Sequence, residues 1–160
     1  GGDIAFWLNS GESFSIGVVD NPEIPKLNTK VNLAYESPVR GIATSGWRGR
    51  SLSLGIADAV TVLAQSATDA DVAATLIANE VNVDFPGIEK RAASEVKDES
   101  DLGMIPVTVH VPDLPEDKIS FALEQGAKIA RKFIKAEKIT AAYLSLQKQR
   151  LVIDNKCLLP

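Results

Sequence analysis

Residues 59–75, Ala59-Val-Thr-Val-Leu-Ala-Gln-Ser-Ala-Thr-Asp-Ala-Asp-Val-Ala-Ala-Thr75, decide the fold of this chain. The apolar run predicts a buried strand, and the polar turn after it leads into a helix. Side chains four residues apart on a helix are neighbours, so Asp71 and Thr75 bring a carboxylate and a hydroxyl to one point. Magnesium takes oxygen ligands and leaves positions for water and phosphate. The pair therefore predicts half of a magnesium site, and the alternative is an ordinary polar helix edge.

Strands are predicted before this stretch and a long connection after it. The strands cover residues 4–8, 14–19, 31–35, 39–44 and 57–64, and the first two are expected to form a hairpin. The helix is expected from about Thr68 to Asn82, with an apolar stripe at helical spacing, which consists of Ala70, Ala73, Ala74, Ile77, Ala78 and Val81. Residues 84–103 contain many charges and predict a long exposed connection.

The remaining third of the chain predicts a strand, a helix and a hairpin. Valines alternate with polar residues over 105–111, as in a half-buried strand. Pro115 marks the start of a helix with a buried stripe, and residues 139–146 and 151–154 form the last hairpin. The fold class predicted is α+β, in a single domain over residues 1–160. Its sheet is mixed and mostly antiparallel, with helices packed on it.

Composition restricts the function classes. The 160 residues suffice for a hydrophobic core. A net charge of -4 and a pI near 5.0 argue against nucleic acid as a partner. No apolar run approaches the roughly 20 residues that span a membrane, so no membrane partner is expected. The single cysteine, Cys157, cannot form an internal disulfide, which favours a reducing cytoplasm.

Three segments resemble one family. The run Val-Thr-Val-Leu-Ala, with Ser66-Ala67, Ala70-Asp71 and Thr75, resembles the metal-binding strand and helix of ApbE proteins, the FAD:protein FMN transferases. Gly1-Gly2-Asp3-Ile4 resembles their glycine-rich flavin-site turn, and residues 41–46 resemble their Thr-Ser-Gly strand end. Residues 100–103, 122–127 and 142–146 are similar to an uncharacterised ApbE-like branch. The resemblance covers residues 1–154 and begins at the glycine turn, so the chain is expected to be the larger, C-terminal part of such a protein.

The resemblance implies a site and an activity. Asp71 and Thr75 would hold Mg²⁺, and the residues lining the FAD site would be Gly2, Asp3, Thr44 and Ser45. FMN would pass from FAD to a threonine of a target protein, so the implied partners are a flavin nucleotide and a flavin-accepting or redox protein.

One departure from the family leaves the function open. Trp47-Arg-Gly-Arg50 follows Gly46 where the family has a segment with the histidine implicated in transfer. The alternatives are a non-catalytic ligand-binding or assembly relative, and a hydrolase that splits nucleotide pyrophosphates.

Other polar residues carry weaker hypotheses. Asp58, Arg48 and Arg50 either serve the site or are ordinary loop residues in solvent. His110, the only histidine, falls on the polar face of a predicted strand and is interpreted as solvated. Valine-rich strands near the chain ends leave a homodimer open.

Overall fold

The computed structural model describes residues 2–19, 29–49 and 51–154. Gly1, Arg50 and Cys157, which entered the hypotheses above, lie outside the described residues. The strands are β1 (Ile4–Ala5), β2 (Ser13–Val18), β3 (Thr29–Ala34), β4 (Gly41–Ser45), β5 (Ala59–Ala64), β6 (Glu89–Ala92), β7 (Pro106–His110), β8 (Ala141–Leu146) and β9 (Gln149–Asp154). The helices are α1 (Ala67–Glu80), α2 (Ala93–Val96) and α3 (Glu116–Lys135).

A five-stranded antiparallel sheet forms the centre of the fold. Its strand order is β1-β4-β5-β8-β9, and every neighbouring pair is antiparallel. Two smaller antiparallel pairs, β2 with β3 and β6 with β7, complete the strands. Helices α1 and α3 pack on one face of the central sheet, and the predicted α+β class is confirmed.

Alternation along the strands sends side chains to two hydrophobic clusters on opposite faces. On β5, Val60 and Val62 belong to the cluster under the helices. Leu63 of the same strand belongs to a second cluster, which also contains Leu33 of the β2–β3 hairpin. The sheet is therefore covered by helices on one side and by a hairpin on the other.

Helix α1 begins where the sequence places a capping residue. The Oγ of Ser66 accepts a hydrogen bond from the backbone N–H of Asp69 at 3.1 Å and donates one to its Oδ2 at 2.6 Å. This satisfies a backbone donor that the first helical turn leaves free. The predicted alanine-rich stripe is buried against the sheet and α3, as expected from its spacing.

Helix α3 and the last hairpin also follow their sequence signals. Glu116 and Asp117 occupy the first turn of α3, where the helix dipole favours negative charge. Two residues, Gln147 and Lys148, join β8 to β9 with φ angles of 44° and 72°. Positive φ at both positions suits the twist of a two-residue hairpin turn. Among the described helices, none is both long enough and apolar enough to cross a membrane.

The predicted hairpin between residues 4–8 and 14–19 is wrong. Strand β1 pairs with β4, with Ile4 opposite Ile42, and β2 pairs with β3. Apolar alternation identifies a strand but not its partner, which depends on burial far along the chain. Here Val18 is buried together with Leu63 of the central sheet, so the β2–β3 pair covers that sheet.

The long exposed connection predicted over residues 84–103 is also wrong in part. It contains β6 and α2, and β6 pairs with β7. The strand begins Glu89-Lys-Arg91, and these side chains are exposed, so it carries no apolar alternation to reveal it. The strand is held by antiparallel backbone pairing with β7.

Candidate functional site

Most of the predicted site residues meet at one cavity. It measures about 120 Å³ and lies at the C-terminal end of β4. Its walls are Gly2, Asp3, Thr44, Ser45, Gly46, Gly49, Ser51 and Asp71. All four residues expected to line a nucleotide site are present, together with the aspartate expected to bind metal.

Strand pairing and helix packing bring these distant residues together. Ile4 lies opposite Ile42 and the strands are antiparallel, so the chain before β1 runs beside the end of β4. This places Gly2 and Asp3 next to Thr44. Helix α1 packs across β4 and carries Asp71, an exposed residue, to the same place.

The end of β4 is fixed by close contacts. Thr44 Oγ1 lies 2.8 Å from Thr61 Oγ1 on the neighbouring strand, so the two hydroxyls form a hydrogen bond. Gly46 has a φ of 150°, and a Cβ there would lie 2.5 Å from the backbone oxygen of Asp58. Only glycine fits this position, which sets the direction in which the chain leaves the strand.

Thr75 stands apart from the other predicted residues. It lies on α1, exposed, four residues after Asp71, but the cavity walls do not include it. The helix makes the two side chains neighbours, as predicted. The cavity itself is reached by Asp71.

The donor set at the cavity fits magnesium better than a soft metal. Within residues 2–19, 29–49 and 51–154, no three side chains of the types His, Cys, Asp and Glu converge as a metal-binding group. Zinc sites need three or four such ligands. The carboxylate of Asp71 and neighbouring hydroxyls are oxygen donors, and Mg²⁺ is commonly held by one or two carboxylates with water and phosphate completing the shell.

The size of the cavity also limits its contents. Complete small-molecule sites usually enclose about 300–1,000 Å³. At about 120 Å³, this cavity has room for a phosphate-sized part of a nucleotide.

Gly46, Gly49 and Ser51 are cavity residues that sequence reasoning did not assign. They follow the Thr-Ser strand end in a loop rich in glycine and serine. Glycines allow a ligand to approach the backbone closely, so this composition was the available signal.

Arg48 and Asp58 are engaged with each other. Arg48 Nε donates to Asp58 Oδ1 at 2.7 Å, and the guanidinium lies 4.5 Å from the centroid of the Trp47 ring. The other oxygen of Asp58 accepts the backbone N–H of Gln147 at 2.6 Å. Both side chains therefore hold the loop after β4. His110 is an exposed residue of β7, in agreement with its interpretation as solvated.

These features define the class of the protein. It has an α+β fold with a small cavity, lined by oxygen atoms, where a strand ends in Thr-Ser-Gly. The chain matches the profile of the family described as AbpE bacteria over residues 1–153, and it belongs to that family. It is also 34% identical over 99 residues to a UPF0280 protein of Methanopyrus kandleri, which covers 62% of this chain and 40% of that protein. A UPF0280 protein of Methanobrevibacter smithii is 41% identical over 83 residues, which is 50% of this chain and 33% of the relative.

These matches support the ApbE-like relationship at the level of the family. Each alignment spans well under half the length of the curated relative.

Proposed function

We propose that this chain forms the phosphate and metal part of a flavin-nucleotide site in an ApbE-like protein. The convergence of residues 2–3, 44–45 and Asp71 at one cavity carries the proposal. These positions are far apart in sequence, and all of them were expected at the site from the family resemblance.

The proposed roles follow from the chemistry of the walls. Gly2 and Gly46 leave the backbone open to a diphosphate, and the hydroxyl of Ser45 provides a donor. Asp71 at the cavity wall, with Thr75 one helical turn beyond the walls, would hold Mg²⁺, which would neutralise negative charge on the diphosphate. The net result is a site that orients the diphosphate at the centre of FAD.

FMN transfer requires one further group. The hydroxyl oxygen of the acceptor threonine would attack the FMN phosphorus, the bond to the bridging oxygen would break, and AMP would leave. The proton of the threonine must then pass to a base. Asp3 and Asp71 are the acidic side chains at the cavity walls, and no histidine lies there.

The lack of histidine among the cavity walls favours a second candidate. In this candidate the protein binds a flavin nucleotide without turnover, as a binding or assembly module. The two candidates make different predictions for the fate of FAD.

The test is incubation of the protein, within its complete natural chain, with FAD and Mg²⁺, followed by chromatographic separation of free and bound nucleotides. Transferase activity yields AMP with FMN attached to protein, and hydrolase activity yields AMP with free FMN. A binding module retains intact FAD in a manner that depends on Mg²⁺.

Asp71→Ala should abolish whichever of these results is observed. Asp98→Ala, which removes an exposed carboxylate outside the cavity, is the matched control and should change nothing. If FAD is neither retained nor cleaved, or if Asp71→Ala behaves as the wild type, the proposal is wrong.

A further inference from the structure

A second cavity lies away from the candidate site. It measures about 680 Å³ and is bounded by the segment after α1, by β6 and by α3. Its walls include Asp84, Phe85, Ile88, Lys90, Phe121 and Gln125, and it shares no residue with the first cavity. The space is a groove that is largely open to solvent, and its volume falls within the usual range for small-molecule sites, about 300–1,000 Å³.

Aromatic surface is available in this cavity. Phe121 lies in the second turn of α3 and is 54% exposed, although aromatic side chains are usually buried. Phe85 and Ile88 are half-buried and pack against the main core. Together they present apolar surface that a flat ring could cover.

The same cavity is also lined by a positively charged side chain, Lys90. The Nζ of Lys90 donates to the backbone oxygen of Leu54 at 2.7 Å, and partial burial of this end of an otherwise exposed side chain lowers the pKa of the ammonium group. In the part of the chain that the structure describes, no carboxylate lies within ion-pairing distance of it. An ammonium group has three donors, so two are left for an anion.

The wall between these groups is held in a defined shape. Residues 85–88 form a turn closed by a hydrogen bond from the N–H of Ile88 to the carbonyl of Phe85 at 3.3 Å. Gly87 in this turn has a φ of 90°, and a Cβ there would lie 3.3 Å from the side chain of Pro112. A site that is formed before binding loses less entropy when a ligand enters.

We propose that this cavity binds a small aromatic monocarboxylate, with its ring against Phe85 and Phe121 and its carboxylate on Lys90. Asp84 also lines the cavity and repels anionic groups, so Lys90 can compensate one ligand carboxylate and a second anionic group would be unfavourable. The site is independent of the proposed flavin-nucleotide function.

The test uses 3-phenylpropionate as the probe and 3-phenylpropanol as its uncharged counterpart. Each is titrated into the isotope-labelled protein, and amide shifts of residues 82–90 and 118–125 are followed by NMR. A charge-assisted hydrogen bond is roughly twice as strong as a neutral one, so we expect the carboxylate to bind about tenfold more tightly than the alcohol.

Variants separate the contributions of charge and ring. Lys90→Gln should remove the preference for the carboxylate, Lys90→Arg should keep it, and Phe121→Ser should weaken both ligands. Lys138→Gln is the matched control, because this exposed lysine follows the end of α3, about four turns beyond Phe121.

Amide spectra of the free variants verify that each is folded. Equal affinity for the carboxylate and the alcohol would overturn the proposal. So would a preference that survives in Lys90→Gln, or shifts outside the two segments followed.

Discussion

At the scale of single residues, Asp58 connects parts of the chain that are distant in sequence. One carboxylate oxygen accepts from Arg48 and the other accepts from the backbone N–H of Gln147. The side chain of Asp58 is only 10% exposed. Gln147 continues the connection, since its amide group bonds to Pro112 and Leu114. One carboxylate thus helps to hold the loop after β4, the β8–β9 turn and the segment before α3.

Removal of this carboxylate should destabilise the protein. We expect Asp58→Ala to lower the free energy of unfolding by about 1–3 kcal/mol, because a backbone donor and a guanidinium lose their partner in a partly buried place. Urea denaturation followed by circular dichroism measures this. Asp98→Ala removes an exposed carboxylate outside the helices and strands and should change stability by less than about 0.5 kcal/mol. Equal effects from the two changes would contradict this account.

Lys90 should make stability depend on pH under alkaline conditions. Partial burial of its ammonium group lowers its pKa below the ordinary value of 10.5, so the unfolded chain binds more protons than the folded chain between the two pKa values. The free energy of unfolding therefore rises with pH through that window. Denaturation at a series of pH values should show this increment in the wild type and not in Lys90→Arg, whose guanidinium stays charged. If the free energy of unfolding rose by the same amount in Lys90→Arg, other titrating groups would be the cause.

At the scale of elements, local sequence patterns predicted the helices and strands whose identifying residues all lie within a short stretch of the chain. Helix α1 has its capping serine and alanine stripe, and α3 has its acidic first turn and long apolar face. Strand β1 could be recognised, but its pairing with β4 joins residues almost forty positions apart. Strand β6 is exposed and charged, so nothing in its own sequence distinguishes it from a loop.

The candidate site was likewise predictable from local sequence only in part. The helical spacing of Asp71 and Thr75 was readable, and so was the Thr-Ser-Gly end of β4. The placement of Asp71 at the cavity depends on how α1 crosses the sheet, and spacing alone cannot give this. For the same reason the spacing could not tell that Thr75 lies one turn beyond the cavity walls.

The crossing of α1 over β4 depends on a glycine. A Cβ on Gly41 would lie 2.0 Å from the carbonyl carbon of Ser66, a backbone atom that cannot swing aside. We expect Gly41→Ala to cost about 1–3 kcal/mol of stability, measured by urea denaturation, because strand and helix start must separate. Gly2→Ala meets open space and should change stability by less than about 0.5 kcal/mol. A stable Gly41→Ala protein would mean that this contact is easily relaxed.

At the scale of the whole molecule, the central sheet has a hydrophobic cluster on each face. The second cluster joins Val31 and Leu33 of the β2–β3 hairpin to Leu63 and Tyr143 of the sheet, and all four are buried. The hairpin is therefore part of the hydrophobic interior.

Truncation of Leu33 tests this arrangement. We expect Leu33→Ala to lower the free energy of unfolding by about 2–5 kcal/mol, because a fully buried leucine is lost and a cavity remains. Leu76→Ala, at a position that is 46% exposed, should cost far less. Thermal unfolding by calorimetry should show one transition in both proteins. A small effect of Leu33→Ala, with a separate early transition, would mean that the hairpin unfolds independently.

The cavity at the end of β4 takes its walls from the start of the chain, a strand end and a helix. An unfolded chain holds these pieces apart, so occupancy of this cavity and folding are linked equilibria. A molecule that binds here and has no affinity for the unfolded chain raises the melting temperature, and a hundredfold excess over Kd adds about 2.7 kcal/mol. A thermal-shift screen of candidate nucleotides thus reports on the site without any assumption about catalysis. The same linkage makes the bound form the more resistant one to proteolysis.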